Sequence, residues 1–231
     1  MFEKSKVKAN LEKLKRKIKE VAQNSNRDFR EIKLVAITKT ATVEQIREAI
    51  EAGIEFIGEN KVQEAQKKYI QINLPVEWHM VGHLQTNKVK YAVEIFDLIH
   101  SVDSIKLAQE IDKRSRQFNK ITDILIEVNV SGEISKYGIK PDKLENILRE
   151  ISVLSAVKVR GLMTIAPIVK QQEEARPYFR RLRELSEKIK TLKIQNVEMK
   201  YLSMGMTNDF EIAIEEGSNL LRIGRAIFGE N

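Results

Sequence analysis

The sequence predicts an α/β fold, a (β/α)8 TIM barrel in a single domain over residues 1–231, with an extra helix at the N-terminus. Three observations carry this expectation. Eight short apolar runs alternate with helical patterns, and the beat does not break. No linker, low-complexity segment or internal repeat divides the chain. The turn after the first run has no glycine, whereas a doubly wound open sheet usually carries a glycine-rich turn there and fewer strands.

The elements follow in order. Val7, Leu11, Leu14, Ile18 and Val21 are spaced alternately four and three apart, which predicts an amphipathic helix over 2–24. Its basic outer face (Lys8, Lys13, Lys15, Arg16, Lys17, Lys19) is what a helix packed on a domain normally turns to water. Whether it packs on its own barrel or on a neighbour is left open. The run 33–39 (KLVAITK) is too short for an ordinary helix and reads as a buried strand ending in a lysine. Val43, Ile46, Ala49 and Ile50 form one face of a helix over 42–52, and Gly53 stops it. A strand over 55–58, a helix over 60–72, a strand over 76–82 after Pro75 and a helix over 85–95 come next. Residues 98–102 read as a fourth strand and 104–118 as a helix. The run 123–130 (DILIEVNV) is the cleanest strand in the chain. A loop rich in Gly and Ser, 131–138, leads past Pro141 into a helix over 142–153. A strand over 157–164, a helix over 171–192, a strand over 197–202, a helix over 207–216 and a strand over 220–223 complete the count. The tail after Gly224 has room for a brief helical turn or two.

Composition narrows the function. Hydrophobic residues make up 42% of the chain, enough for a sizeable core. Cysteine is absent, which excludes disulfides, zinc–thiolate sites and thiol catalysis and suits a reducing cytoplasm. Met1 leads into charged residues rather than an apolar leader, and no apolar run approaches the ~20 residues that span a bilayer. The net charge of +7 invites a nucleic-acid reading. However, the 40 basic and 33 acidic residues are interleaved and no aromatic-rich basic motif accompanies them, so no nucleic-acid partner is expected.

The chemistry is expected at the C-terminal ends of the strands, where barrels place their ligands and where phosphate often binds the loops after strands seven and eight. Lys39 would stand at the tip of strand one. Strand seven runs into Ser203-Met204-Gly205-Met206-Thr207-Asn208, where Gly205 lets backbone approach a ligand closely. Thr207 or Asn208 could cap the next helix, and Asn208 with Glu211 resembles a capping box. Strand eight ends in Arg222-Ile223-Gly224-Arg225. Leu220, Arg222 and Gly224 share one side of a period-two strand, so Arg222 points into the barrel mouth if Leu221 and Ile223 meet the helices. A guanidinium there keeps its charge and needs an acceptor: a carboxylate such as Glu127, a ligand phosphate or a ring nitrogen. The three histidines, His79, His83 and His100, fall on or just after strands three and four. No carboxylate pair stands at ligand spacing beside them, so they read as hydrogen-bonded core residues, with no metal site expected.

Taken together, these pieces resemble the pyridoxal-phosphate homeostasis proteins, single-domain relatives of the alanine racemase N-terminal barrel. The likeness runs over nearly the whole chain: Ala36-Ile37-Thr38-Lys39-Thr40, Phe56-Ile57-Gly58-Glu59-Asn60-Lys61-Val62-Gln63-Glu64, the stretch from Trp78 to Lys88, His100-Ser101-Val102-Asp103, Arg160-Gly161-Leu162-Met163-Thr164, Leu202-Ser203-Met204-Gly205-Met206 and the stretch from Leu221 to Gly229. Thr38 stands where serine is usual, a proline often found shortly after the lysine is absent, and Tyr137 replaces a usual serine.

The resemblance implies that Lys39 carries pyridoxal 5′-phosphate (PLP) as a Schiff base. It implies that Ser203 and the backbone around Met204, Gly205, Gly224 and Arg225 hold the phosphate. Arg222 would face the pyridine nitrogen, and Asn60 would make a further contact. A burial of Lys39 beside cations would favour its reactive, unprotonated form. The implied role is intracellular PLP (vitamin B6) homeostasis, with PLP as ligand and apo PLP-dependent enzymes as recipients, in a monomer or weak dimer. The alternative is a PLP-dependent amino-acid racemase of weak or specialised activity. The racemising relatives use a tyrosine from a second domain, for which this chain has no room.

Overall fold

Buried parallel strands read as continuous apolar runs because both faces are covered; all eight runs fold as strands, although in the seventh Glu198 and Lys200 remain exposed. A computed structural model describes residues 6–133 and 135–229. Its strands are β1 (Lys33–Ile37), β2 (Phe56–Glu59), β3 (Glu77–Met80), β4 (Leu98–Val102), β5 (Thr122–Glu127), β6 (Val157–Met163), β7 (Val197–Ser203) and β8 (Leu220–Ile223). They close in sequence order into one barrel, every pair parallel. The outer helices are α2 (Val43–Glu51), α3 (Val62–Ile72), α4 (Val89–Ile95), α5 (Ile105–Gln117), α6 (Leu144–Ser152), α7 (Arg176–Thr191), α8 (Phe210–Glu215) and α9 (Arg225–Phe228).

The N-terminal helix α1 (Lys6–Asn24) precedes them. Residues 2–5 of the expected helix lie outside the described residues. Its stripe Val7, Leu11, Leu14, Ile18 and Val21 is buried. The helix lies on its own barrel, against α2, α8 and α9. Asn10 Nδ2 donates to Ile227 O at 3.0 Å, and Lys17 pairs with Glu211 at 3.4 Å. The question of which surface it covers is thereby answered: it backs the helices that follow β7 and β8.

Period-two alternation sorts the core into two layers. Val35, Phe56, Leu98, Leu125, Met163 and Leu220 form a small cluster drawn from six strands, which fills the lumen. Leu221 and Ile223 belong to the larger cluster between sheet and helices. This parity turns Arg222 inward, as the sequence predicts. No apolar side chain of β3 joins the lumen cluster; in its place His79 sits against Phe56, ring centroids 5.4 Å apart.

Several boundaries move. Helix 207–216 shrinks to α8, because the chain needs Met206 to Asp209 for a tight turn before it can coil. The expected capping box of Asn208 and Glu211 does not form. The N-cap is Asp209, whose Oδ1 accepts the Met206 amide at 2.6 Å. The Asp209 carboxylate closes the turn before the helix, and Asn208 Oδ1 accepts from Arg225.

Candidate functional site

The strand pairing of β1 continues one residue past its end, with Thr38 N donating to Gly58 O at 2.9 Å. Ala41 N then closes a turn on Thr38 O, and Lys39 occupies that turn. Lys39 has the parity of Val35 and Ile37, the lumen side of β1. It is exposed, not buried. The strand ends before it, so the expected burial of its amine is corrected. What is buried is the anchor beneath the turn. Thr38 Oγ1 donates to Glu59 Oε1 at 2.6 Å, and Lys68 Nζ reaches both Glu59 Oε1 (2.7 Å) and Thr38 O (2.6 Å). Glu59 is wholly buried. The chain motif around Gly58 and Asn60 contained Glu59, but nothing in the spacing pointed to Lys68 as its partner.

Barrel closure brings the other end of the chain alongside. In the β1–β8 ladder Val35 pairs with Arg222 and Ala36 with Ile223. Gly224 then passes so close to β1 that a Cβ there would lie 3.1 Å from Ile37 O. Arg222 N donates to Gly205 O at 3.0 Å, which ties the β7 loop to β8. Gly205 itself has φ +94°, and a Cβ would lie 2.6 Å from that of Ala213, so both conformation and space call for glycine. Met204 packs its side chain between sheet and helices, leaving only its backbone for a ligand. Arg225 is exposed and donates to Asn208 Oδ1 at 3.3 Å.

Arg222 does not bridge to Glu127. Its Nη1 donates to Ser203 Oγ at 2.6 Å and its Nη2 to Thr164 O at 2.8 Å. Burial lowers the guanidinium to about 10, opposed by Asp209 and Glu127, so it stays charged at neutral pH. Burial likewise raises the Asp209 carboxyl, against the Met206 amide and Arg222. Asn60, after β2, has its Oδ1 buried without a hydrogen-bond partner. The eight expected contact residues thus fall on the ends of four consecutive strands, β7, β8, β1 and β2, one arc of the barrel mouth.

Histidines complete the floor. His100 Nδ1 lies 2.9 Å from Ser203 Oγ, and His100 Nε2 lies 3.1 Å from His79 Nδ1. These are the hydrogen-bonded core histidines the sequence predicts, and burial holds both below the ordinary imidazole range. His83 behaves differently. It stacks on Tyr137 at 3.8 Å between centroids and pairs with Asp103 at 3.3 Å. Among the described residues, no group of three or more His, Cys, Asp or Glu could hold a metal ion. A cavity of about 470 Å³ is lined by Lys19, Phe29 and Lys33 near the N-terminal end of β1. None of the residues above lines it, so it is a separate feature.

A family model described as the alanine racemase N-terminal domain matches residues 9–231. The pyridoxal phosphate homeostasis protein of Aquifex aeolicus is 45% identical over 221 residues, covering 95% of this chain and 96% of the relative. The chain belongs to the pyridoxal phosphate homeostasis protein family. The Escherichia coli (strain K12) member is 36% identical, covering 95% of this chain and 94% of its own. Among solved structures, PipY of Synechococcus elongatus PCC7942, determined with PLP bound, superposes with a TM-score of 0.81 at 33% identity, covering 92% of this chain and all of PipY (100%). An alanine racemase of Clostridium difficile shares the fold at TM-score 0.70 and 14% identity. The family member described here covers 94% of its own length but only 56% of that racemase.

Proposed function

We propose that this protein binds pyridoxal 5′-phosphate as a Schiff base on Lys39 and serves PLP homeostasis in the cytoplasm. The single observation that carries the reading is the convergence of an amine, a charged inward guanidinium and two glycine-bearing loops on one arc of the barrel mouth. The residues present fit the cofactor. Lys39 supplies the amine, and Asn60 Oδ1, buried without a partner, supplies an acceptor for it or its ligand. Arg222 has five N–H donors, of which the bonds to Ser203 and Thr164 engage two. The loops at Met204–Gly205 and Gly224–Arg225 would hold the phosphate, although Asp209 already engages the Met206 amide.

When bound, PLP supplies an aldehyde that condenses with an amine, releasing water, and a ring that draws electrons. The chain's own residues set how far that chemistry goes. Arg222 keeps its proton and offers donors only, so a ring nitrogen held beside it would stay unprotonated and the ring would be a weak electron sink. Glu59 and Lys68 fix the turn that presents Lys39. These features favour holding over turnover, and they suit delivery to apo PLP-dependent enzymes.

Titration of the purified protein with PLP tests the reading. A visible absorbance band should appear at one equivalent and be absent in Lys39→Ala. The racemase alternative has its own assay, exchange of the α-proton of amino acids into deuterated water. Exchange at about 1 s⁻¹ or faster, an ordinary enzyme rate, would favour turnover over holding.

A further inference from the structure

We propose that His79, His100 and Ser203 form a one-way hydrogen-bond chain across the barrel floor that positions Arg222, and that Ser203 is therefore not a phosphate donor. The chain joins four strands: His79 on β3, His100 on β4, Ser203 at the end of β7 and Arg222 on β8. All four side chains are buried, Ser203 and His100 completely.

Its direction follows from what each group can give. Arg222 can only donate, so Ser203 Oγ accepts from it. The hydroxyl hydrogen then goes to His100 Nδ1, 2.9 Å away. That nitrogen must be the unprotonated one, so His100 carries its hydrogen on Nε2 and donates to His79 Nδ1 at 3.1 Å. His79 in turn carries its hydrogen on Nε2, which is buried without a hydrogen-bond partner, with the Glu77 carboxylate 3.8 Å away.

The reverse direction fails at the Ser203 end and is disfavoured at the other. If His100 donated from Nδ1, Ser203 would accept twice and its buried hydrogen would find no acceptor among the described residues. At the far end His79 Nε2 would present a lone pair to the Glu77 carboxylate, acceptor against acceptor. His79 Nε2 lacks a hydrogen-bond partner in either direction, so the direction is decided at Ser203, where only the reverse arrangement leaves a buried hydroxyl hydrogen unsatisfied. Burial keeps both rings neutral, as the chain requires. In this arrangement Ser203 has no hydrogen left for an anion. Its lone pair seats the guanidinium, and Thr164 O holds the other amino group. Ser203, His100 and His79 are positioning residues, acting on the ligand site through Arg222.

The direct test is a long-range ¹H–¹⁵N correlation spectrum of the histidine rings in the protein as purified. There are three histidines, and His83→Asn removes the exposed one from the spectrum. Both remaining rings should carry hydrogen on Nε2 with a pyridine-type Nδ1. In Ser203→Ala the His100 Nδ1 resonance should move, since it loses its donor. A His100 protonated on Nδ1 would overturn the chain. A second arm rests on the PLP reading and compares the affinities of PLP and pyridoxal. Loss of a hydrogen bond to a charged phosphate is worth roughly 1.5–3 kcal/mol, so a phosphate-donating Ser203 predicts that Ser203→Ala loses about tenfold or more of the preference for PLP. A positioning Ser203 predicts a preference changed by about twofold or less. Because the histidine spectrum needs no cofactor, failure of the chain and failure of the PLP reading are distinguishable.

Discussion

At the end of β5, burial and the nearby Asp103 carboxyl push Glu127 from an ordinary 4.5 up to about 7, against the pull of Arg222. The folded state therefore holds this proton more tightly than the unfolded chain does. Its contribution to stability is fully present below about pH 4.5 and is lost as pH rises to about 7. The full shift corresponds to about 3 kcal/mol at most. Glu127→Gln should remove that slope, so urea midpoints measured between pH 4.5 and 7.5 should fall less with pH than those of the parent. Equal slopes would show that Glu127 is not the titrating group. Glu59 is a buried carboxylate of another kind, whose Oε1 accepts from Thr38 and Lys68 while its Oε2 has no hydrogen-bond partner. Breaking a buried pair leaves the partner charge uncompensated, at a cost of about 3–5 kcal/mol. Glu59→Gln should approach that loss in chemical denaturation and also loosen PLP binding, because the Lys39 turn stands on this pair. Neither effect was legible in the sequence. The partners of Glu59 lie on β1 and α3, and only the folded geometry selects Lys68 from the 40 basic residues of the chain.

At the scale of elements, α1 was legible in full over its described part, because a stripe at four-and-three spacing has one physical solution. Which surface the stripe covers was not legible, since own barrel and neighbour offer the same apolar chemistry. Leu11 is among the largest fully buried side chains and lies in the contact of α1 with the barrel core. Leu11→Ala should cost about 2–5 kcal/mol in urea denaturation, as for other buried leucines. Arg16→Ala, on the outer face, should change little. The start of α8 shows where sequence reading stops. Asn208 and Glu211 had the spacing of a cap, but the helix starts after Asp209, whose side chain bonds back to the Met206 amide and leaves the helix without a side-chain cap.

For the whole molecule, eight apolar runs and their beat sufficed for the barrel, and the parity of Leu220 to Gly224 sufficed to aim Arg222 inward. The histidine chain was beyond sequence reading, because His100 and Ser203 stand 103 residues apart and meet only across a closed lumen. Closure also depends on details without a sequence signature. Gly161 sits at φ +149°, and a Cβ there would collide with the Tyr201 carbonyl on β7. Gly161→Ala should destabilise the protein by more than about 1 kcal/mol, read as a lower urea midpoint. Since the candidate site joins strands from both ends of the chain, cofactor release and loss of helical circular dichroism should fall in one transition.

The central claim is that Lys39 is the amine that holds PLP. Borohydride reduction of the PLP-loaded protein, followed by proteolysis and mass spectrometry of the peptides, tests it most directly. The account predicts one phosphopyridoxyl group per chain, on the peptide containing Lys39, and none at that position in Lys39→Ala. A label found mainly on another lysine such as Lys68 or Lys136, with the Lys39 peptide unmodified, would contradict it.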